Sequence, residues 1–214
     1  TEINFSWIGR ICDFKIHILN HLILKLSEFA KNNNQKINLH IIGDGPEMTN
    51  INSQSCLHNN FKLILMGSLP TAQMDNYLFS KIDINASMGA SVLESAKLGI
   101  PSIVLDFDFK PINEKYRFRW LHKTKNYDLG HLILKSDYAE NNNLKKMIME
   151  YTINSRELSK KSNDYYLKNH SLGSVSEKLK QQLEKASLTI IDINPKLFKK
   201  GLIRQVYERI KYGI

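Results

Sequence analysis

The feature that most limits how this chain can fold is an alternation in its first half. Short, predominantly apolar runs are separated by stretches of helical period. The runs are "INFSWI", "INLHII", "FKLILMG", "KIDINA" and "PSIVLDF". Between the first two, Ile16, Leu19, Leu22, Ile23, Leu26, Phe29 and Ala30 recur at spacings of three and four, one face of a helix. "KNNNQK" ends that helix. A weak helix is expected near 47–57, a second over "PTAQMDNYLFS", opened by its proline, and a third over "SVLESAKLG". Strands apolar along their whole length are buried on both faces, which requires a parallel sheet covered by helices. The expected fold class is therefore α/β: a Rossmann-like, doubly wound parallel sheet of about six strands, with helices on both faces and a helical C-terminal tail. Ligands then bind at the carboxyl ends of the strands.

Beyond Phe107 the pattern loosens. "KPINEKYRFRWLHKTKNYDLG" reads as a long polar and aromatic connection, either a solvated loop or a contact to another domain. "HLILK" (131–135) reads as the sixth strand, and residues 140–154, 156–169 and 172–187 as helices. "DINP" breaks the chain before a last amphipathic helix at 196–212, where Leu197, Phe198, Leu202, Ile203, Val206 and Ile210 stand among cations. The organisation expected is one domain over 1–187 and a basic amphipathic tail over 188–214. The chain opens on Thr1 and enters a strand almost at once, so we expect a piece of a longer protein.

Lys and Arg number 30 against 21 Asp and Glu, a net charge of +9, which favours anionic partners. The excess concentrates at 112–127, with five basic residues against one acidic, and at 196–211, with six against Glu208. The first stretch is too short and irregular for a nucleic-acid module, so nucleic acid is not expected as a partner. The tail suits packing on protein or an anionic membrane surface. No apolar run approaches the roughly 18 residues of a membrane span. Cys12 and Cys56 form neither a metal pattern nor a disulfide framework, and point to a reducing cytoplasm. His17 and His21, four apart on a helix with no third ligand near, read as solvated, and no metal is expected.

Three segments carry chemistry. In "WIGRICDFK" a strand ends at Gly9, and Arg10 and Lys15 place two cations at its carboxyl end. Arginine grips phosphate oxygens bidentately and lysine acts as a point charge, while the glycine lets a ligand approach the backbone. In "LHIIGDGPE" the glycines Gly43 and Gly45 read by themselves as a turn, although a glycine pair before a helix also admits phosphate. In "ASMGASVLE" the small residues Ser87, Met88, Gly89, Ala90 and Ser91 precede a helix, where exposed amides attract an anion. Glu94 there has two readings that stay open: an acceptor for sugar hydroxyls, or the last member of a capping box begun by Ser91.

Taken in order, strand-Gly9-Arg10-(four residues)-Lys15, strand-Gly-Asp-Gly-Pro, "LMGSLP" and "DINASMGASVLESAKLGIPSIV" resemble the carboxyl-terminal half of GT-B glycosyltransferases of the retaining, group 1 type. The resemblance covers residues 3 to about 107 well and the helices to about 187 loosely. It implies a donor domain for a nucleoside-diphosphate sugar, a substrate rather than a cofactor. Arg10 and Lys15 would be the catalytic pair holding the diphosphate. Gly9, Gly43, Ser87, Met88, Gly89, Ala90, Ser91, Val92 and Glu94 would line the donor site, with Glu94 on the ribose. Met66, Gly67, Ser68 and Leu69 would border the base. The family's first glutamate, eight positions before the second, is Ala86 here. The implied protein is a metal-independent, retaining transferase of capsular polysaccharide or lipopolysaccharide synthesis, at the cytoplasmic face of the membrane. An amino-terminal domain outside this chain would hold a glycan or lipid-linked acceptor, and this half alone would be inactive. Other readings are a nucleotide-sugar epimerase of GT-B fold and a non-catalytic membrane or partner-binding module.

Overall fold

In a computed structural model, residues 2–51, 59–138 and 144–187 are described. The elements run β1 (Glu2–Ile8), α1 (Asp13–Asn33), β2 (Lys36–Ile42), β3 (Phe61–Gly67), α2 (Thr71–Lys81), β4 (Ile84–Ser87), α3 (Ala90–Lys97), β5 (Ser102–Val104), β6 (Arg119–Trp120), α4 (Leu144–Asn169) and α5 (Leu172–Lys185). They form a six-stranded sheet in the order β3-β2-β1-β4-β5-β6, parallel except for β6. The chain winds outward from β1 through β2 to β3, then returns to β4 and winds the other way. The reversal lies between β1 and β4, where such folds open a crevice.

The apolar runs form the strands because the inner ones, β1, β2, β4 and β5, are buried along most of their length, while β3 lies half-exposed at the edge of the sheet. Phe5 and Trp7 of β1, Leu39 and Ile41 of β2, Ile84 and Ala86 of β4 and Ile103 of β5 make one core with the inward stripe of α1. Burying each large aliphatic side chain of that stripe is worth up to about 2 kcal/mol. α1 stops at "KNNNQK" because Asn34 takes the left-handed conformation (φ 49°) and its amide returns to the Ala30 carbonyl. The crevice has a local cause. β1 and β4 pair only at Phe5–Ile84 and Ser6–Asn85. Beyond that the amide of Ile8 donates to the Ser87 hydroxyl (2.9 Å) in place of a backbone carbonyl, so the two strands separate at their carboxyl ends.

The segment after β5 departs from expectation. Residues 107–127 are not solvated throughout: Tyr116, Phe118 and Trp120 are each 1% exposed and belong to the core. They alternate with Lys115, Arg117 and Arg119, and Arg119–Trp120 pair antiparallel to β5 as the sixth strand. "HLILK" makes only a single bridge, Phe107 with Leu132, and buries Ile133 alone. The expected helix near 47–57 is a short 3-10 turn at Met48–Asn50, and residues 52–58, including Cys56, lie outside the described residues. The expected break between 154 and 156 is a kink inside α4, where Asn154 leaves helical geometry (φ −125°, ψ 34°). α4 then caps α3: Asn163 Nδ2 donates to the Lys97 carbonyl (2.9 Å), and Ser162 to that of Ile100 (2.9 Å).

The first compact unit ends at Ser171. α5 belongs to the second, and its Leu172, Val175, Leu179 and Leu183 form an exposed apolar stripe. The expected tail helix, 196–212, lies outside the described residues. None of the described helices is long and apolar enough to cross a membrane.

His21 is buried, not solvated. Its ring lies between Phe118, stacked at 5.9 Å, and Tyr116, edge-on at 6.0 Å, and its Nε2 has no partner. Burial, reinforced by the Lys25 ammonium, lowers its pKa from 6.5 to about 4. The unfolded chain therefore takes up a proton first as pH falls. Stability that is complete above pH 6.5 is lost progressively down to about pH 4. The loss is on the order of 3 kcal/mol for this group. His122, also pushed by burial to about 4, adds to it. We expect His21→Phe to remove one proton's share of this acid lability. Urea midpoints from pH 7 to pH 4 would fall less steeply than in the parent, and parallel slopes would contradict the assignment.

Candidate donor site

Three loops lie side by side along the carboxyl edge of β1, β2 and β3. The Gly9 amide donates to the Ile42 carbonyl (3.0 Å), the Ile11 amide to that of Asp44 (3.0 Å), and the Gly43 amide to that of Gly67 (2.8 Å). The close approach explains "GDGP": a β-carbon at Gly43 would strike the Gly9 carbonyl oxygen, and one at Gly45 that of Ile11. These contacts present Arg10 to solvent. With Gly43, Asp44, Gly45, Pro46 and Ser68 it lines an open cleft of about 560 Å³.

Lys15 stands in the first turn of α1, its ammonium 5.5 Å from the centre of the Phe14 ring. Above Gly9, at the point where a side chain would begin, three donors converge. Lys15 Nζ is 3.5 Å from that point, Trp7 Nε1 3.9 Å and Ser91 Oγ 4.0 Å. The indole nitrogen is buried and has no hydrogen-bond partner. Neither Arg10 nor Lys15 makes an ion pair among the described residues. Two unpaired cations and a buried orphan donor at the switch point are the electrostatic outline of an anion site.

The turn into α3 completes it. Gly89 is the N-cap at φ 63° and ψ −146°, a conformation that only glycine adopts without strain. Its amide donates to the Leu129 carbonyl (2.7 Å), and the Val92 amide turns back to the Gly89 carbonyl (3.3 Å). The amides of Ala90 and Ser91 are left at the helix tip. The capping box does not form: Ser91 is the second helical residue and no side chain caps the helix. Glu94 is half exposed, pairing with Lys97 (2.7 Å), which also reaches Asp75 (3.1 Å).

The other expected site residues divide between the core and the cleft. Ser87 is buried, with its hydroxyl donating to Asn85 Oδ1 (2.9 Å), and Met88 and Val92 are in the core. Ala86 is fully buried in β4 opposite Ile103, so its side chain faces the core and not the crevice. Met66 and Leu69 pack on the cluster of Ile8, Ile42 and Leu78, which leaves Gly67 to turn the chain and Ser68 exposed beside Arg10.

A polar network behind Gly89 went unread in the sequence. Asp106, fully buried one residue past Leu105, accepts two bonds from Arg119 (Nη2 at 2.7 Å), one from the Tyr116 hydroxyl (3.0 Å) and one from the His131 amide (3.0 Å). Arg119 also reaches Asp128 (2.7 Å), and His131 joins Asp128 (3.1 Å) to Asp137 (3.1 Å). Asp106, Asp128 and His131 bring ligand atoms within 4.8 Å of one another, but the Arg119 guanidinium already supplies the charge between the two carboxylates. The period-two pattern of "KYRFRW" was the available signal for the strand that carries Arg119.

Fold and topology together define the class: the chain has the fold of the C-terminal domain of GT-B glycosyltransferases. It is similar to TarM of S. aureus, solved with fondaparinux, alpha-GlcNAc-glycerol and UDP, at 19% identity and a TM-score of 0.57, covering 84% of this chain and 35% of that one. It is also similar to the C-terminal domain of the glycosyl transferase group 1 family protein LpcC of Francisella tularensis, at 13% identity and a TM-score of 0.52, covering 79% and 87%. A third similarity is to WaaG, a glycosyltransferase involved in lipopolysaccharide biosynthesis, at 14% identity and a TM-score of 0.52, covering 83% and 46%. The chain thus spans about a third of the length of TarM. No family model matches it, and no curated protein matches it in sequence.

Proposed function

We propose that this chain is the donor-binding half of a glycosyltransferase and takes a nucleoside-diphosphate sugar. The observation that carries the reading is the convergence of Lys15 Nζ, Ser91 Oγ and the unpartnered Trp7 Nε1 above Gly9. The diphosphate lies there, between the tip of α3 and the cleft of Arg10, and Glu94 accepts from the ribose. As the glycosidic bond breaks, charge grows on the leaving phosphate, and fixed cations stabilise it without a metal. The anomeric configuration is retained. With Ala86 facing the core and Ser87 bonded inside the sheet, Ser91 is the hydroxyl left to read the donor sugar. The acceptor, a glycan or lipid-linked chain of capsular polysaccharide or lipopolysaccharide synthesis, is held by a further domain. The resemblance to WaaG supports that setting. Six cations against Glu208 in residues 196–211 support a seat on the anionic cytoplasmic face of the membrane.

The test is a thermal-shift series with UDP, GDP and ADP and their sugars. A ligand at a hundred times its Kd stabilises by about 2.7 kcal/mol. For a unit of this size that raises the melting temperature by roughly 5 to 10 °C. No shift with any of the three nucleotides at millimolar concentration would refute the reading.

A further inference from the structure

We propose that Asp128 is a positioning residue that sets the first turn of α3, and with it the anion site, through the carbonyl of Leu129. The inference rests on the donor reading and extends it to residues that line no part of the Arg10 cleft.

Asp128 shapes the turn with both oxygens. Oδ1 accepts the Gly130 amide (2.9 Å), closing the chain over Leu129. Oδ2 accepts from Arg119 Nη2 (2.7 Å) and faces His131 Nδ1 (3.1 Å). The carbonyl so presented takes the Gly89 amide at 2.7 Å, a bond that ties the α3 entry to the turn outside it. Gly130, at φ 115°, presses on the same loop: a β-carbon there would stand 3.1 Å from Met88 Cβ and strike the Leu105 carbonyl. The turn and the loop before α3 are thus in direct contact. The far side of the brace reaches the other half of the site. Phe107 exchanges backbone bonds with His131 and Ile133 (both 2.9 Å), and its ring packs edge-on at 5.2 Å against Phe14, the ring beneath Lys15. One ribbon therefore supports both Ser91 and Lys15.

The cluster sets three carboxylates against at most two cations, so it comes nearest to charge balance when His131 is protonated. Asp106, Asp128 and Asp137 face it, and Arg119 is the other cation. Burial would lower the His131 pKa, but the bond to Asp128 and the neighbouring carboxylates outweigh burial and hold it above the usual histidine value. As pH rises through that value the imidazole ceases to hold Asp128 and Asp137 together, and the Leu129 carbonyl loses part of its support. Amides aimed at a phosphate lose much of their effect when displaced by an ångström.

The test combines hydrogen exchange at the Gly89 amide with calorimetric affinity for UDP, GDP and ADP. Asp128→Asn should speed exchange at Gly89 at least tenfold and weaken the best nucleotide by 10- to 100-fold. His131→Gln, a milder change kept in case the first variant fails to fold, should weaken it at least threefold. It should also remove the parent's additional loss of affinity at rising pH, a change that a purely structural role would not produce. Unchanged exchange at Gly89, or faster exchange with affinity intact, overturns the proposal. A parent chain that binds none of the three nucleotides overturns the donor reading and this coupling with it. Binding by the parent that Asp128→Asn leaves unaltered overturns the coupling alone.

Discussion

Replacing Arg10 and Lys15 together by alanine is expected to abolish nucleoside-diphosphate binding while leaving the fold intact. On the donor reading each cation would make a charge-assisted contact worth about 1.5–3 kcal/mol, so each loss is roughly 10- to 100-fold and that of the pair roughly 100- to 10,000-fold. The fold should not notice. Arg10 is exposed, and Lys15 lies over the face of Phe14 and pairs with no carboxylate among the described residues. Removing two positive charges from a chain of net +9 also relieves repulsion. Arg10→Lys should recover part of the affinity, because a point charge replaces a planar fork that grips two oxygens. Isothermal titration with UDP, GDP and ADP, beside a thermal melt, separates the outcomes. Affinity within threefold of the parent in the double variant would refute the placement of the diphosphate.

The largest effect on stability should come from the opposite kind of charge, the one already paired. Asp106 is fully buried and holds four donors, from Arg119 twice, Tyr116 and His131. Asp106→Ala leaves the guanidinium with Asp128 as its remaining carboxylate and strands a buried hydroxyl and an amide. Breaking such a pair from one side costs about 3–5 kcal/mol. That corresponds to a fall of roughly 6 to 20 °C in melting temperature. Arg119→Ala should cost a similar amount by stranding the carboxylate. The double variant should cost less than the two singles together, since each removes the partner the other lacked. Urea unfolding of the three variants measures this, and additive losses would show that the pair is not a unit.

The two variants differ in what the sequence disclosed. Arg10 and Lys15 could be placed at the carboxyl edge of β1 because their position is local, a few residues past the strand end, whereas the β1–β4 switch point beside them came only with the strand order of the fold. Gly9 and Ser91 were legible for the same reason. Trp7 was not, since an indole near a strand end reads as core and only the fold shows its nitrogen unpartnered. "HLILK" has strand composition, but Leu132 and Leu134 are exposed and the segment serves as backing for Phe107. "KYRFRW" carried the period of a half-buried strand inside a basic stretch whose charge suggested solvent, and Arg119 turned out to be neutralised within the fold. The S-x-x-E pattern at Ser91 suggested a cap, yet Gly89 starts the helix two residues earlier than a cap at Ser91 requires.

By itself the sequence determined the α/β layering and the parallel core strands, and it pointed to the carboxyl edge of the sheet as the place for a ligand. Those depend on periodicity and on residues adjacent in the chain, and burial enforces them one element at a time. Only the tertiary structure decided which polar groups face the crevice and which face one another. Asp106, Arg119, Asp128 and His131 meet across separations of up to 25 residues, and Ser91 meets Lys15 over Gly9 across the β1–β4 reversal. Hydrogen bonds and ion pairs of that reach act over a few ångströms. They are therefore set by where the packed backbone brings side chains, a property that no local pattern encodes.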